Sequence, residues 1–344
     1  MVSVVMPVYN EEKYIDKAVQ SILDQDFDKE QMEAVFVDGG SRDKTVEILN
    51  RFKERYDFIR ILDNPRKTVQ HALNIGIQNA AGEYIVRMDA HSEYSNDYVS
   101  KCLYFLQTTD AVNVGGPMIA RGKTPFQKVV AAAYHSPFAL GGGKFHEEDF
   151  CGYADTVYLG SYKRETIMEY GLYDERFPRS EDDELNFRIA QMGGKIFISP
   201  EIKSVYYPRA SLGALFSQYY EYGVWKPAVI KKHKKPARLS HLIPVLFVLF
   251  LMAGLLLSGL CGAWAVSSGS FLGFYLVAAV FGTVQGLYIA LALWFSFTNK
   301  YADGFLNKLL LTLVHFVLHV SYGFGFLIGF FKFFMFGGLN NEGE

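Results

Sequence analysis

Asp89 and His91 close the apolar run Tyr84-Ile85-Val86-Arg87-Met88. The run reads as a buried strand, and its polar end falls where a strand gives way to a loop. If the neighbouring strands run parallel, that point lies at the carboxyl edge of a sheet, where open α/β sheets bind ligands. Aspartate and histidine at i, i+2 can turn toward one divalent ion once the chain leaves strand geometry. Taken alone, the pair reads more simply as a strand-terminating aspartate beside a solvated histidine. Chemistry there needs support from the rest of the chain.

Other strand ends supply complementary groups. An opening apolar run at residues 2–8 contains Pro7 and is followed by Tyr9 and Glu11. A second run, residues 34–37, ends in Asp38-Gly39-Gly40-Ser41, and a third, residues 59–62, leads to Arg66 and Lys67. An aromatic ring beside an acidic acceptor suits a nucleobase, through stacking and a bond from a ring N–H. Basic side chains and a divalent ion suit a diphosphate. Singly, Tyr9 reads as packing and Asp38 as a turn-forming Asx; together at one sheet edge they point to a nucleotide pocket. Farther on, Ser180-Glu181-Asp182-Asp183 reads either as a helix start complementing the dipole or as a carboxylate pair able to take a proton.

The elements that must position these groups follow from periodicity. Ile15, Ala18, Val19, Ile22 and Leu23 form one helical stripe, with Asn10 as its expected N-cap. Val46, Ile48, Leu49 and Phe52 form another, and residues 68–81 a third, closed by Gly82 as a C′ residue. The alternation is β-α-β-α-β-α-β, which predicts an α/β fold with a mostly parallel central sheet and helices on both faces. Beyond it the spacing predicts a helix over 96–107, a strand over 111–114, and an irregular, glycine- and aromatic-rich stretch over 121–155. Long structureless insertions of that kind are usually lids or binding loops.

Composition changes sharply near residue 240. The 344 residues carry a net charge of −2, which gives no global reason to expect a nucleic-acid partner. The cysteines Cys102, Cys151 and Cys261 are far apart and suggest no disulfide framework. The chain opens directly on a strand, so no cleavable leader is expected before the fold. From residue 242 charges nearly vanish, and the stretches 242–266, 271–297 and 309–331 each exceed the roughly 20 residues that cross a bilayer. The run Lys231-Lys232-His233-Lys234-Lys235 lies just before the first of them. By the positive-inside rule it places the preceding chain in the cytoplasm; Lys300 and Lys308 agree, and the tail after Lys332 would face outside.

Several passages resemble inverting family 2 glycosyltransferases with the GT-A fold: Val4-Val5-Met6-Pro7-Val8-Tyr9-Asn10-Glu11-Glu12, Val37-Asp38-Gly39-Gly40-Ser41-Arg42-Asp43, Asp89-Ala90-His91 and Glu181-Asp182. Within that family the likeness is closest to the succinoglycan-biosynthesis glucosyltransferases of the ExoA type. It is carried by Val86-Arg87-Met88-Asp89-Ala90-His91-Ser92-Glu93-Tyr94, Asn113-Val114-Gly115-Gly116-Pro117, Ser180-Glu181-Asp182-Asp183-Glu184-Leu185-Asn186-Phe187-Arg188 and Gln218-Tyr219-Tyr220-Glu221-Tyr222-Gly223. The resemblance implies that Tyr9 and Asp38 hold the base, with Pro7 beside them, Glu11 near base or ribose, and Arg66 and Lys67 near the diphosphate. Asp89 and His91 would occupy the family's D-x-D metal motif. Imidazole in place of a carboxylate favours Mn²⁺ over Mg²⁺. His233 is a further candidate ligand, although a basic membrane-surface run explains that region more simply. Asp182 is the implied base, beside Glu181. Gln218, Tyr222 and Trp225 lie where processive members carry Q-x-x-R-W; the arginine is missing, which argues against a processive synthase and leaves them as acceptor or membrane-interface candidates.

The sequence thus predicts a GT-A catalytic domain over 1–210, an amphipathic interfacial segment over 211–240, and membrane helices over 241–336. The expected protein is a multi-pass enzyme of the cytoplasmic membrane. It would move a hexose, glucose first, from a UDP-sugar to a polyprenyl-diphosphate-linked saccharide of an exopolysaccharide or capsule pathway. The alternatives are direct transfer to polyprenyl phosphate, nucleotidyl transfer, and a silent nucleotide-binding scaffold.

Overall fold

The computed structural model describes residues 1–236 and 238–337. They gather into two compact units: residues 1–121 with 143–207, and residues 122–142 with the chain from Pro208 onward.

The first unit begins with strands β1 (Val2–Val8), β2 (Met32–Asp38), β3 (Ile59–Asp63) and β4 (Tyr84–Arg87). Helices α1 (Ile15–Leu23), α2 (Thr45–Lys53) and α3 (Val69–Asn79) alternate with them. Every residue of β2 and all but Pro7 of β1 are buried, which is how an apolar run on both faces settles into a parallel sheet. Ile15, Ala18, Val19 and Ile22 are the buried face of α1, as their spacing predicts. Then come β5 (Glu93–Tyr94), α4 (Tyr98–Thr108), β6 (Asn113–Gly116) and β7 (Met118–Ala120). Helices α5 (Pro125–Tyr134) and α6 (Pro137–Leu140) belong to the second unit. The first resumes with β8 (Gly152–Ala154), β9 (Tyr158–Lys163), α7 (Arg164–Glu169), α8 (Glu181–Gln191), β10 (Ile196–Ile198) and β11 (Ser204–Tyr206).

The main sheet has the order β3-β2-β1-β4-β9-β6-β10-β8, and β5-β11-β7 forms a smaller one. The first four strands are parallel, and β9 enters antiparallel between β4 and β6. Strand order therefore reverses direction between β1 and β4, a topological switch point of the kind at whose carboxyl edge open α/β sheets form their ligand crevice. Pairing of β1 with β4 stops at Val5 and Arg87, so Pro7, lacking an N–H, removes no ladder bond on that side.

At the opposite edge a buried carboxylate ties four segments together. Glu33 accepts from Ser3 Oγ and from the Ala81 amide, each at 2.5 Å, and pairs with Arg60 at 2.7 Å. Gly82 belongs to this knot and does not cap α3 in a left-handed conformation. The helix ends at Asn79 with Ala80 extended, and a Cβ on Gly82 would lie 2.6 Å from Ser3 Oγ. Close packing, not turn geometry, requires that glycine.

The second unit contains α5, α6, α9 (Leu212–His233), α10 (Ile243–Ser268), α11 (Leu272–Phe297) and α12 (Phe305–Phe330). Three stretches are long and apolar enough to cross a membrane: Leu239–Ser268, Leu272–Phe297 and Phe305–Met335. The structure corrects one expectation, because residues 122–142 contain helices α5 and α6 and gather with these helices rather than forming a loop of the mixed-sheet unit. Thr124 and Gln127 form a reciprocal capping box with Pro125 in the first turn, and that start signal precedes the buried face Val129 to Tyr134. Helices α9 and α12 meet backbone to backbone through glycine. A Cβ on Gly223 would lie 2.2 Å from the Tyr322 carbonyl oxygen, one on Gly325 2.1 Å from that of Tyr220, and one on Gly329 2.0 Å from that of Val224. Gly325→Leu should therefore force the two helices apart at a cost of about 1–3 kcal/mol. The expected result is a melting temperature several degrees lower in detergent, followed by circular dichroism.

Candidate active site

At the carboxyl edge the loops after β1, β2 and β3 are fastened to one another. The Asn10 amide donates to Ser41 Oγ, and the Asn10 side chain accepts from the Arg42 amide, each at 2.8 Å. Asn10 takes a left-handed φ of 55° and is not the N-cap that the sequence suggests; α1 starts after Tyr14. The Glu11 amide donates to Thr45 Oγ1 at 2.7 Å. These bonds hold Tyr9 half-exposed at the rim, with its ring against Gly39, where a Cβ would lie 3.3 Å from Tyr9 Cδ2. Asp38 is buried and folds its own loop. Its carboxylate accepts from the Gly40 amide at 2.9 Å, the Ser41 amide at 3.0 Å and Ser41 Oγ at 2.6 Å. Among these donors the Ser41 hydroxyl is the one that can rotate away.

After β3, buried Asn64 does the fastening. Its amide donates to the Asp38 carbonyl at 2.7 Å, its Nδ2 to the Thr68 carbonyl at 2.8 Å, and its Oδ1 accepts from the Arg66 amide at 3.1 Å. Arg66 and Lys67 stand exposed on this turn. Lys67 has a left-handed φ of 61°, and its Cε lies 3.5 Å from where a Gly40 side chain would begin. Asn64 and Ser41 were not singled out from the sequence, although N-P and G-G-S are recognisable turn chemistry.

Across the switch point, β4 delivers Asp89 and His91. His91 Nδ1 lies 3.6 Å from Glu11 Oε1, which joins the loop after β4 to the loop after β1. Tyr94 clamps the Asp89 backbone, its hydroxyl 2.5 Å from the Asp89 amide and 3.2 Å from the carbonyl. The central group is one the sequence reading left without a role. Arg87, buried at the end of β4, donates from Nε to Asp89 at 3.1 Å and from Nη1 to Asp182 at 2.6 Å, and Nη2 lies 3.7 Å from Glu181. The fork of the guanidinium spans the strand end and the start of α8, groups 95 residues apart.

Helix α8 starts at Glu181 after Ser180, which is left-handed at φ 62° and whose buried Oγ has no hydrogen-bond partner among the described residues. Its acidic first turn divides by direction. Glu184 faces inward to Arg188 at 2.8 Å and is structural, whereas Glu181 and Asp182 face Arg87. Burial, then the neighbouring Asp182 charge, pushes Glu181 up to about 8, while Arg87 opposes the shift. Burial also raises Asp182, again against the pull of Arg87. Pushed up to about 8, Glu181 is expected to carry a proton near neutrality.

Among the described residues no three His, Cys, Asp or Glu side chains gather as a protein-only metal site. The donors present nevertheless suit a divalent ion that takes one or two protein ligands and completes its shell with substrate phosphate. Asp89 keeps 17% of its side chain accessible and His91 48%, so neither is closed off from a ligand. His233 ends α9 in the second unit, between Lys232 and Lys234. Gln218 donates to Tyr222 at 3.0 Å along the same helix, and Trp225 packs on Phe333 with ring centroids 5.2 Å apart.

Comparison with known proteins identifies the family and the fold. Residues 3–162 match the model of glycosyl transferase family 2. The chain is 31% identical over 244 residues to the succinoglycan biosynthesis protein ExoA of Rhizobium meliloti, covering 70% of this chain and 74% of that protein. It is 29% identical over 267 residues to the dolichyl N-acetyl-alpha-D-glucosaminyl phosphate 3-beta-D-2,3-diacetamido-2,3-dideoxy-beta-D-glucuronosyltransferase of Methanococcus voltae, covering 75% and 82%. In fold it resembles a Pyrobaculum calidifontis mannosyltransferase solved with GDP-Man and Mn²⁺, with a TM-score of 0.59, 19% identity, and 95% and 86% coverage. A switch-point crevice with its acidic cluster, on a chain with apolar helices fit to span a membrane, thus belongs to a membrane-associated glycosyltransferase of family 2 with a GT-A-like fold.

Proposed function

We propose that the protein transfers a hexose, with glucose the first candidate, from a UDP-sugar to a polyprenyl-diphosphate-linked saccharide at the cytoplasmic leaflet, with inversion at the anomeric carbon. The observation that carries this reading is the Arg87 bridge, which sets a proton-accepting carboxylate pair beside the rim residues suited to a nucleotide diphosphate. Tyr9 offers a stacking face for the base and Asp38 an acceptor for its N–H, with Pro7 shaping the strand end. Glu11 lies toward the ribose, and Arg66 and Lys67 toward the diphosphate. Asp89 and His91 would hold the divalent ion, Mn²⁺ in preference to Mg²⁺, and that ion would supply Lewis-acid stabilisation of the leaving diphosphate. Asp182 takes the proton of the acceptor hydroxyl as that oxygen attacks the anomeric carbon. Glu181, kept protonated, adds no second negative charge beside the attacking oxygen. The names of the two curated relatives, one in succinoglycan biosynthesis and one acting on a dolichyl-linked sugar, support a lipid-linked acceptor. Gln218, Tyr222 and Trp225 on α9 are candidates to meet it at the membrane surface.

Asp182→Asn should lower transfer by about 10²–10⁴-fold, the usual contribution of a general base, with donor affinity retained. Radiolabelled transfer and UDP calorimetry separate the two effects, and intact transfer would refute the assignment. Removing Arg87 has a pH signature. Its positive charge lowers both Glu181 and Asp182, so Arg87→Met raises them and moves the acid limb of the rate profile to higher pH. Activity should fall most near neutrality and recover partly as pH rises; a uniform loss at every pH would mean that Arg87 is only structural. UDP should raise the melting temperature more with Mn²⁺ than with Mg²⁺ or EDTA, as ligand linkage requires. Equal shifts in all three would overturn the metal reading.

A further inference from the structure

The third apolar helix differs from the other two in what covers it. Half of its most apolar window, 50%, is buried within the protein, against 17% and 6% for the first and second. Helices α10 and α11 pair antiparallel: Phe247 stacks on Tyr288, Phe250 meets Phe281, and Gly262 meets Phe274. Helix α12 joins this hairpin toward its open end, where Phe316 and His319 meet Phe247 and Tyr288, and Gly323 meets Pro244. From Tyr322 onward α12 runs beside α9. The glycine contacts already described are continued by Trp225 on Phe333 and by Lys231 Nζ donating to the Phe333 carbonyl at 2.5 Å.

Hydrocarbon does not suit α9. It carries Gln218, Glu221 and Lys226 along its middle, and Lys231, Lys232 and His233 in its last turn. Ionisable side chains are rare and costly at membrane depth, and α9 has too many in too short a span to be a crossing helix. The last turns of α12, in backbone contact with α9, must lie at the same depth as α9, within reach of headgroups or water. The first turn of α12 carries Lys308, whose ammonium donates to the Phe297 carbonyl at 2.9 Å. Both ends of α12 are therefore held at a polar surface, and both are basic. A crossing helix would put those ends on opposite faces of the bilayer, whereas the positive-inside rule puts them on one.

We infer that α12 does not cross the membrane. It lies with α9 in the plane of one interface, and the inserted element is the α10–α11 hairpin. The partner of this platform is an anionic headgroup layer. Lys231, Lys232 and Lys332 supply the complementary charge, and Phe331, Phe334 and Phe336, 48%, 44% and 81% exposed, supply apolar rings to the headgroup boundary. The hydropathy of α12 is satisfied by protein on one side and by this boundary on the other. With two crossings instead of three, the end of the described chain returns to the face on which α9 lies. The expected outward-facing tail is replaced by one on the same side as the basic run.

Cysteine accessibility in the full chain tests this. With Cys102, Cys151 and Cys261 replaced by serine, Arg238→Cys, Ser270→Cys and Phe336→Cys are made singly. Each is labelled with a membrane-impermeant maleimide in spheroplasts and in inverted vesicles. Phe336→Cys should react at least tenfold faster from the face that labels Arg238→Cys, and Ser270→Cys from the opposite face. Labelling of Phe336→Cys from the face that labels Ser270→Cys overturns the inference. Should the cysteine-free chain not fold, alkaline phosphatase and green fluorescent protein fused to the C-terminus of the native chain read the same point. Fluorescence without phosphatase activity supports two crossings, and phosphatase activity without fluorescence overturns them.

Discussion

One guanidinium holds the acidic crevice together. Asp89, Glu181 and Asp182 converge on Arg87, and all but the one-third-exposed Asp182 are largely withdrawn from water. Carboxylates brought this close repel one another strongly in a medium less polarisable than water. Arg87 offsets that repulsion only in part: three ionised carboxylates against one cation leave two negative charges in excess. The fold relieves the remainder by keeping a proton on Glu181, which is why that group rises while Arg87 pulls it down. A divalent ion on Asp89 would relieve it more fully. The site is thus electrostatically incomplete in a way that favours a cation.

The same bridge explains why the strand end and the helix start keep their geometry. Asp89 is fixed from two directions, its carboxylate by Arg87 and its backbone by Tyr94. Asp182 is one-third exposed and would otherwise sample several rotamers; its bond to Nη1 selects one. On the far side the same end is reached mainly through hydrogen bonds to backbone amides, the Asp38 carboxylate among the acceptors. Asn10, Ser41 and Asn64 spend their side chains on neighbouring amides, and left-handed backbone at Asn10 and Lys67 is tolerated because those bonds over-determine it. The acidic side is held by ion pairs, and the side formed by the loops after β1, β2 and β3 by a mesh of hydrogen bonds to backbone amides.

What the sequence makes legible follows from how local each signal is. The β-α alternation and the polar strand ends are local, and the sheet placed Tyr9, Asp38 and Asp89 at one edge as their positions demanded. Arg87 was not legible, because a lone arginine in an apolar run says only that it has a partner, and that partner is 95 residues away. Gly82 was misread because a glycine after a helix usually caps it, whereas here the chain crosses directly over Ser3. Helix α5 was overlooked although its start signal was present. The glycines at 141–143 and the surrounding aromatics suggested a loop, but Thr124, Pro125 and Gln127 together specify a helix.

Hydropathy misleads more subtly. It measures the free energy of leaving water and does not distinguish lipid from protein as the destination. Helices α10 and α11 spread exposed leucine, valine and phenylalanine around their circumference, as lipid-facing helices do. Helix α12 is nearly as apolar but carries glycine at 325 and 329, one turn apart, on the face where α9 approaches. Small residues at that spacing let a neighbouring backbone come close, and the neighbour here is a helix rich in charge. An apolar helix that reserves a glycine face for a charged partner is committed to the protein first. Its length alone cannot establish that it crosses the bilayer.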